Sequence, residues 1–81
     1  MFRTVLTQIE LLQRLNDDLA QHDVCKDCSF TFIVQLAGYD ADGCNWSSAN
    51  LTCSETQIGS CLPTADTIIR NAKSLFNIRE D

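Results

Sequence analysis

Residues 28–53 read CSFTFIVQLAGYDADGCNWSSANLTC and carry the strongest structural signal in the chain. The first part, about residues 29–37, is rich in aromatic and β-branched residues, which favour a β-strand. Asp42-Gly43 predicts a tight turn, because both positions of a two-residue hairpin loop favour a positive φ. A more polar segment, about residues 46–53, then folds back as a second strand. The sequence therefore predicts an antiparallel β-hairpin with its turn at residues 42–43.

The predicted turn also fixes which residues of the two strands face each other. A two-residue loop places Tyr39 opposite Trp46 and Phe32 opposite Cys53. Side chains alternate between the faces of a strand, so each pair shares one face. We expect Tyr39 and Trp46 to lie on an exposed outer face. The buried face is expected to carry the apolar residues Phe30, Phe32, Val34 and Leu36.

Two amphipathic helices flank the predicted hairpin. The first, about residues 4–21, has apolar residues at three- and four-residue spacing, and Thr7 with Glu10 has the spacing of a capping box. The second, about residues 63–77, has Pro63 in its first turn. The apolar stripe of the first helix consists of Val5, Ile9, Leu12, Leu15 and Leu19. These elements predict a single α+β domain, residues 1–81, with α-β-β-α order and both helices packed on one face of the hairpin.

The charge of the chain is negative and unevenly distributed. Its 81 residues carry a formal net charge of −5, and residues 17–66 contain eight acidic residues but only Lys26 as a base. An acidic surface repels phosphate backbones and suits a basic protein surface. We therefore expect a protein partner and no direct contact with nucleic acid. No apolar run reaches membrane-spanning length, and the first residues form an amphipathic pattern, so we expect an intracellular, cytoplasmic protein without membrane contact.

The predicted topology sorts the five cysteines into two groups. The ends of both helices and both strands meet at the base of the hairpin, which gathers four cysteines there with His22 beside them. Two disulfides, a structural zinc site and reduced core thiols are all compatible with such a group. Cys44 is left at the opposite tip as an unpaired thiol, or as a bridge to a second molecule. The group at the base consists of Cys25, Cys28, Cys53 and Cys61.

The sequence offers little support for catalysis. In thioredoxin-like redox proteins a Cys-x-x-Cys pair follows a strand and opens a helix, whereas Cys25-x-x-Cys28 follows a helix and precedes a strand. Residues 38–43 resemble part of a calcium loop, but Gly38 and Ala49 occupy two ligand positions. His22 is the only histidine. We expect a non-enzyme without a cofactor, with structural zinc as the alternative.

A secreted, disulfide-stapled module is the main alternative to an intracellular protein. Five cysteines and two glycosylation sequons, at Asn45 and Asn50, are typical of secreted domains. A zinc-stabilised adaptor is a further alternative. The open edges of a two-stranded sheet also favour completion by a second copy, so a homodimer through the hairpin edge or through Cys44 is expected.

The candidate partner-binding residues lie near the predicted turn. Tyr39 and Trp46 are the favoured anchors, because aromatic side chains dominate many protein interfaces, and Asp40 and Asp42 supply an acidic rim. In size, acidity and compactness the chain resembles the small antagonists encoded by phages and mobile elements, anti-CRISPR proteins among them. That resemblance implies an inhibitor that blocks a basic surface of a host defence complex.

Overall fold

A computed structural model of the protein describes residues 3–54 and 58–79. Two helices and an antiparallel hairpin confirm the predicted α+β class. A parallel pair of three-residue strands, from the two ends of the described chain, was not predicted. The elements in chain order are β1 (Thr4–Leu6), α1 (Gln8–Leu19), a 3₁₀ helix (Asp23–Cys25), β2 (Cys28–Gln35), β3 (Trp46–Cys53), α2 (Ile58–Leu75) and β4 (Phe76–Ile78).

Helix α1 begins four residues later than predicted, because Thr7 caps it. The Thr7 hydroxyl accepts a hydrogen bond from the Glu10 backbone N–H at 3.1 Å, and the Glu10 carboxylate accepts one from the Thr7 N–H at 2.9 Å. This is the expected capping box, and it lowers the pKa of Glu10. The core-facing stripe of α1 differs in part from the predicted one. Its fully buried members are Leu11, Leu15 and Leu19.

Helix α2 spans Ile58–Leu75 rather than the predicted residues 63–77. Pro63 therefore lies inside the helix instead of in its first turn, and it has no N–H to donate to the carbonyl of Gly59. The chain passes directly from α2 into β4, whose residues pair in parallel with those of β1. No helix in the described ranges has both the length and the apolar character that a membrane crossing needs.

The hairpin loop begins one residue earlier than predicted and ends, as predicted, at Gly43. Asp40 and Cys44 pair across a three-residue loop: the Asp40 N–H donates to the Cys44 carbonyl at 2.8 Å, and the Gly43 N–H donates to the Asp40 carbonyl at 3.0 Å. Gly43 has a φ of +82°, as expected for the left-handed residue that closes such a loop. Residues 37–39 bend out of the ladder. The strands consequently pair with Gln35 opposite Trp46, three to four residues away from the predicted register.

A bulge in β2 reverses part of the predicted burial pattern. The pairing shifts between Phe30 and Phe32, so the alternation of side chains is interrupted there. Phe30 is buried as expected, but Ile33 is the next core residue along the strand. The predicted burial of Phe32 and Val34 is wrong, because both side chains face away from the helices and are exposed.

The core unites both helices with both strand pairs. Trp46 is its largest fully buried side chain, and its indole Nε1–H donates to the Phe76 carbonyl at 3.1 Å. Asn45 is buried beside it, and its side-chain amide hydrogen-bonds the backbone of Ile78 as a residue of a neighbouring strand would. Its Nδ2 donates to the Ile78 carbonyl at 2.7 Å, and its Oδ1 accepts from the Ile78 N–H at 2.8 Å. These bonds attach β4 to the beginning of β3.

Candidate functional site

Four cysteines gather at the base of the hairpin, as the predicted topology requires. Cys25 ends the 3₁₀ helix, Cys28 opens β2, Cys53 ends β3 and Cys61 lies in the first turns of α2. They form two disulfides, Cys25–Cys61 with Cα atoms 5.0 Å apart and Cys28–Cys53 with Cα atoms 4.0 Å apart. The predicted gathering of the four cysteines is thus confirmed, and of the states that the sequence left open the structure shows two disulfides; the sequence did not predict which cysteines pair. We call these four residues the cysteine cluster.

The two disulfides of the cysteine cluster differ in exposure but lie against each other. Cys25 and Cys61 are fully buried, whereas Cys28 and Cys53 are half-buried. The Sγ atoms of Cys28, Cys53 and Cys61 all lie within 4.8 Å of one another. Cysteine binds a metal ion as a thiolate, and a disulfide contains no thiolate. The alternative of structural zinc therefore stays a prediction for the reduced chain.

Cys44 is the free cysteine, but it does not occupy the exposed outer position expected of it. Its side chain is 1% exposed, and its Sγ–H donates to the Trp46 carbonyl at 3.2 Å. A thiol must be accessible to attack another sulfur. A covalent dimer through Cys44 would therefore require residues 36–45 to open first.

The predicted partner residues Tyr39 and Trp46 do not share a face. Tyr39 is exposed in the segment that bends out of the hairpin, whereas Trp46 is 0% exposed and belongs to the core. The outer-face position predicted for Trp46 is wrong, because the observed register places it opposite Gln35 and turns it toward α2 and β4. A fully buried indole cannot anchor a partner.

The predicted acidic rim faces cations of the same chain. Asp40 Oδ1 accepts the N–H groups of Asp42 at 2.9 Å and Cys44 at 3.0 Å, and Asp40 Oδ2 lies 3.7 Å from Lys73 Nζ. The Asp42 carbonyl accepts a hydrogen bond from the Arg3 guanidinium at 2.8 Å. Arg3 also donates to the Lys73 carbonyl. These contacts tie the hairpin loop to α2 and to the segment before β1.

A cleft of about 510 Å³ lies between the hairpin loop and α2. Its lining includes Arg3, Asp40, Arg70 and Lys73, with Cys44 at its wall. Each of the three cations already has an anionic or carbonyl partner; Arg70, for example, pairs with Asp66 at 2.7 Å. The cleft therefore presents balanced charge rather than a positive site for an anion.

The backbone donors around Asp40 give this loop a pH dependence. The pKa of the Asp40 carboxyl lies below its ordinary value of 3.8, chiefly because the carboxylate accepts the Cys44 N–H. Burial acts in the opposite direction, but the Asp42 N–H and the charges of Lys73 and Arg3 lower the pKa further. A carboxyl whose pKa falls on folding stabilises the folded state above its unfolded pKa, and this contribution disappears as the pH falls through the lowered value. We expect Asp40→Asn to melt below wild type at neutral pH, with the gap closing as the medium is acidified.

Thermal melts from about pH 7 to about pH 2 measure this gap. Asp42→Asn is the matched control, because Asp42 contacts Arg3 through its backbone carbonyl and not through its carboxylate. A gap between Asp40→Asn and wild type that stays constant across the series would contradict the assigned role of Asp40.

The two glycosylation sequons lie in opposite environments. Asn45 is 1% exposed and has both amide atoms bonded to Ile78, so the folded chain has no room for a sugar there. Asn50 is exposed on β3, where its Nδ2 donates to the Thr31 hydroxyl at 2.8 Å. The native fold is therefore compatible with a sugar at Asn50 and not at Asn45.

The exposed face of the hairpin is the surface that the sequence analysis missed. Phe32 is 56% exposed and Val34 is 41% exposed, and they face the same side as Asn50 and Ser48, their cross-strand neighbours. We call these four residues the outer face. The sequence carries no signal for it, because a pairing of Cys28 with Cys53 fixes the register only as far as Phe30, and the shift after Phe30 turns Phe32 outward.

Comparison of the chain with known protein families, with characterised proteins and with solved structures finds no match.

Proposed function

We propose that this protein is a small, non-enzymatic binding domain that docks on a partner protein through the outer face of its hairpin. The observation that carries the proposal is the exposure of Phe32 and Val34 side by side on β2. In an antiparallel sheet with one packed face, the other face normally carries polar residues. Apolar side chains grouped on that face are typical of an interaction surface.

The chemistry of the outer face favours a partner with an apolar pocket and a basic surround. Phe32 offers a large aromatic side chain on a rigid strand, which is the kind of anchor that interface pockets receive. The net charge of −5 attracts a basic surface and speeds association with it. Exposed carboxylates that make no salt bridge in the described ranges add to this attraction: Asp17, Asp23 and Asp27.

The two disulfides support an oxidising compartment for this binding domain. Such bridges persist in secreted proteins and are rare in the reducing cytosol. We therefore favour the secreted, disulfide-stapled module over the intracellular protein that the first residues suggest. The narrower hypothesis of a phage-encoded, anti-CRISPR-like inhibitor stays a prediction. The acidity of the chain supports it, and the disulfides count against it.

A photo-crosslinking amino acid placed at position 32 tests the docking surface. Extract from the source cells supplies the partner, and the same label at position 9 is the control. Ile9 is 78% exposed and lies on α1, not on the hairpin. We expect one partner protein to be linked from position 32 and not from position 9.

The identified partner then allows the affinity to be measured by calorimetry. Phe32→Ala should raise Kd about 30-fold or more, which corresponds to about 2 kcal/mol for an aromatic anchor. Ile9→Ala removes a similarly exposed apolar side chain and should leave Kd within about twofold. If Ile9→Ala weakens binding and Phe32→Ala does not, the docking surface is α1 and the proposal is wrong.

A further inference from the structure

The sulfur atoms of the cysteine cluster lie close together as two bonded pairs, and each pair must separate before the four atoms can surround a metal ion. A tetrahedral zinc ion bound by four thiolates at about 2.3 Å places its sulfur ligands about 3.8 Å from one another. The Sγ atoms of Cys28, Cys53 and Cys61 lie within 4.8 Å of one another, and that of Cys25 is bonded to Cys61. From this geometry we propose that the reduced chain binds one Zn²⁺ through all four cysteines of the cluster.

Most of the cluster lies at the ends of helices and strands, where side chains can move apart when the two bridges are reduced. Cys28 is the first residue of β2 and Cys53 the last of β3, so the sulfur atoms of this pair separate at the end of the ladder. Cys25 ends the short 3₁₀ helix, which is separate from α1. Cys61 is the exception, because it lies in the first turns of α2.

One of the two ligand pairs has the short sequence spacing that is common in zinc sites. Cys25 and Cys28 have the two-residue spacing that many structural zinc sites use. Cys53 and Cys61 are further apart along the chain, and here the fold brings them together, because α2 returns to the end of β3. Lys26 and Asp27 both lie between the first two ligands, so this segment adds no net charge to that of the four thiolates.

The exchange between the two forms balances in electrons, protons and charge. Each disulfide takes two electrons and two protons from one equivalent of a dithiol, which becomes a disulfide in turn. Zn²⁺ then displaces the four thiol protons and forms a cluster with a net charge of −2. In the opposite direction, two equivalents of a disulfide oxidant restore both bridges and release the metal. The two forms therefore exclude each other.

In an oxidising compartment the chain is cross-linked by its disulfides, and in a reducing compartment it is cross-linked by the bound metal ion. The reduced, metal-free chain loses both cross-links and should be much less stable than either form. The inference concerns the cysteine cluster alone. It does not depend on the outer face or on the partner proposed above.

Cobalt is the probe for this site, because Co²⁺ bound by four thiolates has a strong visible spectrum that octahedral Co²⁺ lacks. The full chain is reduced with excess phosphine under anaerobic conditions and titrated with Co²⁺, and Zn²⁺ then displaces the cobalt. We expect one Co²⁺ per chain with a tetrahedral tetrathiolate spectrum. The oxidised protein should give no such spectrum.

Matched serine variants separate the cysteine cluster from the remaining thiol. Cys53→Ser should lower the affinity of the reduced chain for Zn²⁺ by about 100-fold or more, since loss of a ligand exceeds the effect of losing an outer contact. Cys44→Ser should leave stoichiometry and affinity unchanged. An octahedral spectrum, weak binding by the reduced wild type, or equal losses in both variants would overturn the proposal.

Trp46 reports whether the metal binds the folded chain. Its fluorescence should be that of a buried indole in the oxidised protein and in the reduced zinc form, and should shift to longer wavelength in the reduced metal-free form. The zinc form should also melt at higher temperature than the reduced metal-free chain. Zinc binding that leaves the indole exposed to water would assign the metal to the unfolded chain and overturn the proposal.

Discussion

Replacing Trp46 by alanine should destabilise the protein by about 3–5 kcal/mol, the range found when a buried aromatic side chain is removed from a core. The side chain is 0% exposed and is the largest in the core. Its Nε1–H bond to the Phe76 carbonyl would also be lost, which leaves that carbonyl of β4 without its partner. A chain of this size has a total stability of about 4–12 kcal/mol, so the variant should be close to unfolded at 37 °C.

Thermal melts followed by circular dichroism measure this effect, because Trp46 is the only tryptophan and the variant has lost its fluorescent probe. The melting temperature should fall by about 15–30 °C. Phe32→Ala is the matched control: it removes an aromatic ring from the exposed outer face and should cost less than about 1 kcal/mol. If Phe32→Ala lowered the melting temperature more than Trp46→Ala, the observed register would be wrong and the register expected from a two-residue turn would be supported.

The Asp-Gly signal located the hairpin but not its register. Gly43 does take the positive φ that the signal implies, yet it does so as the last residue of a three-residue loop. A difference of one residue at the turn, together with the bend at residues 37–39, moves every pair along the strands. Short loops of two and three residues both accept Gly at such a position. The turn residues alone could not decide between them.

The bulge in β2 explains why the burial pattern was misread. In the sequence, Phe30, Phe32 and Val34 alternate as a clean apolar face, and only a break in pairing after Phe30 brings Ile33 to the core. A bulge leaves little trace in the residue types around it. The long-range constraints that favour it are the disulfide between Cys28 and Cys53 and the burial of Trp46, and neither is visible locally.

The pairing of β1 with β4 lay beyond any local signal. Each strand has three residues, which is too short for alternation to be recognised. The two strands lie at opposite ends of the described chain, and their pairing depends on tertiary contacts such as the Asn45 bonds to Ile78. In contrast, the gathering of four cysteines at one end followed from topology alone, because element ends that alternate in direction must meet.

Removal of the buried disulfide by the double change Cys25→Ala and Cys61→Ala should cost about 4 kcal/mol or more. The Cys28–Cys53 bridge stays in place, so the loop that Cys25–Cys61 closes runs only through residues 25–28 and 53–61; the loss of chain entropy in the unfolded state then corresponds to about 3 kcal/mol. Its two side chains are 1% and 0% exposed, so removal of the sulfur atoms also leaves a cavity that costs about 1–2 kcal/mol. Guanidinium unfolding followed by Trp46 fluorescence measures the sum.

The half-buried disulfide provides the comparison that separates these two contributions. Cys28→Ala with Cys53→Ala removes the inner of the two nested bridges, which spans a separation of 25 residues, and by chain entropy alone it should cost nearly as much, about 2.5 kcal/mol. The cavity contribution should be smaller there, because both side chains already reach solvent. The Cys25/Cys61 variant should therefore be the less stable of the two by about 1–2 kcal/mol. Equal stabilities would mean that each disulfide acts only by restricting the unfolded chain. A less stable Cys28/Cys53 variant would mean that the hairpin depends on its disulfide more than the core depends on Cys25–Cys61.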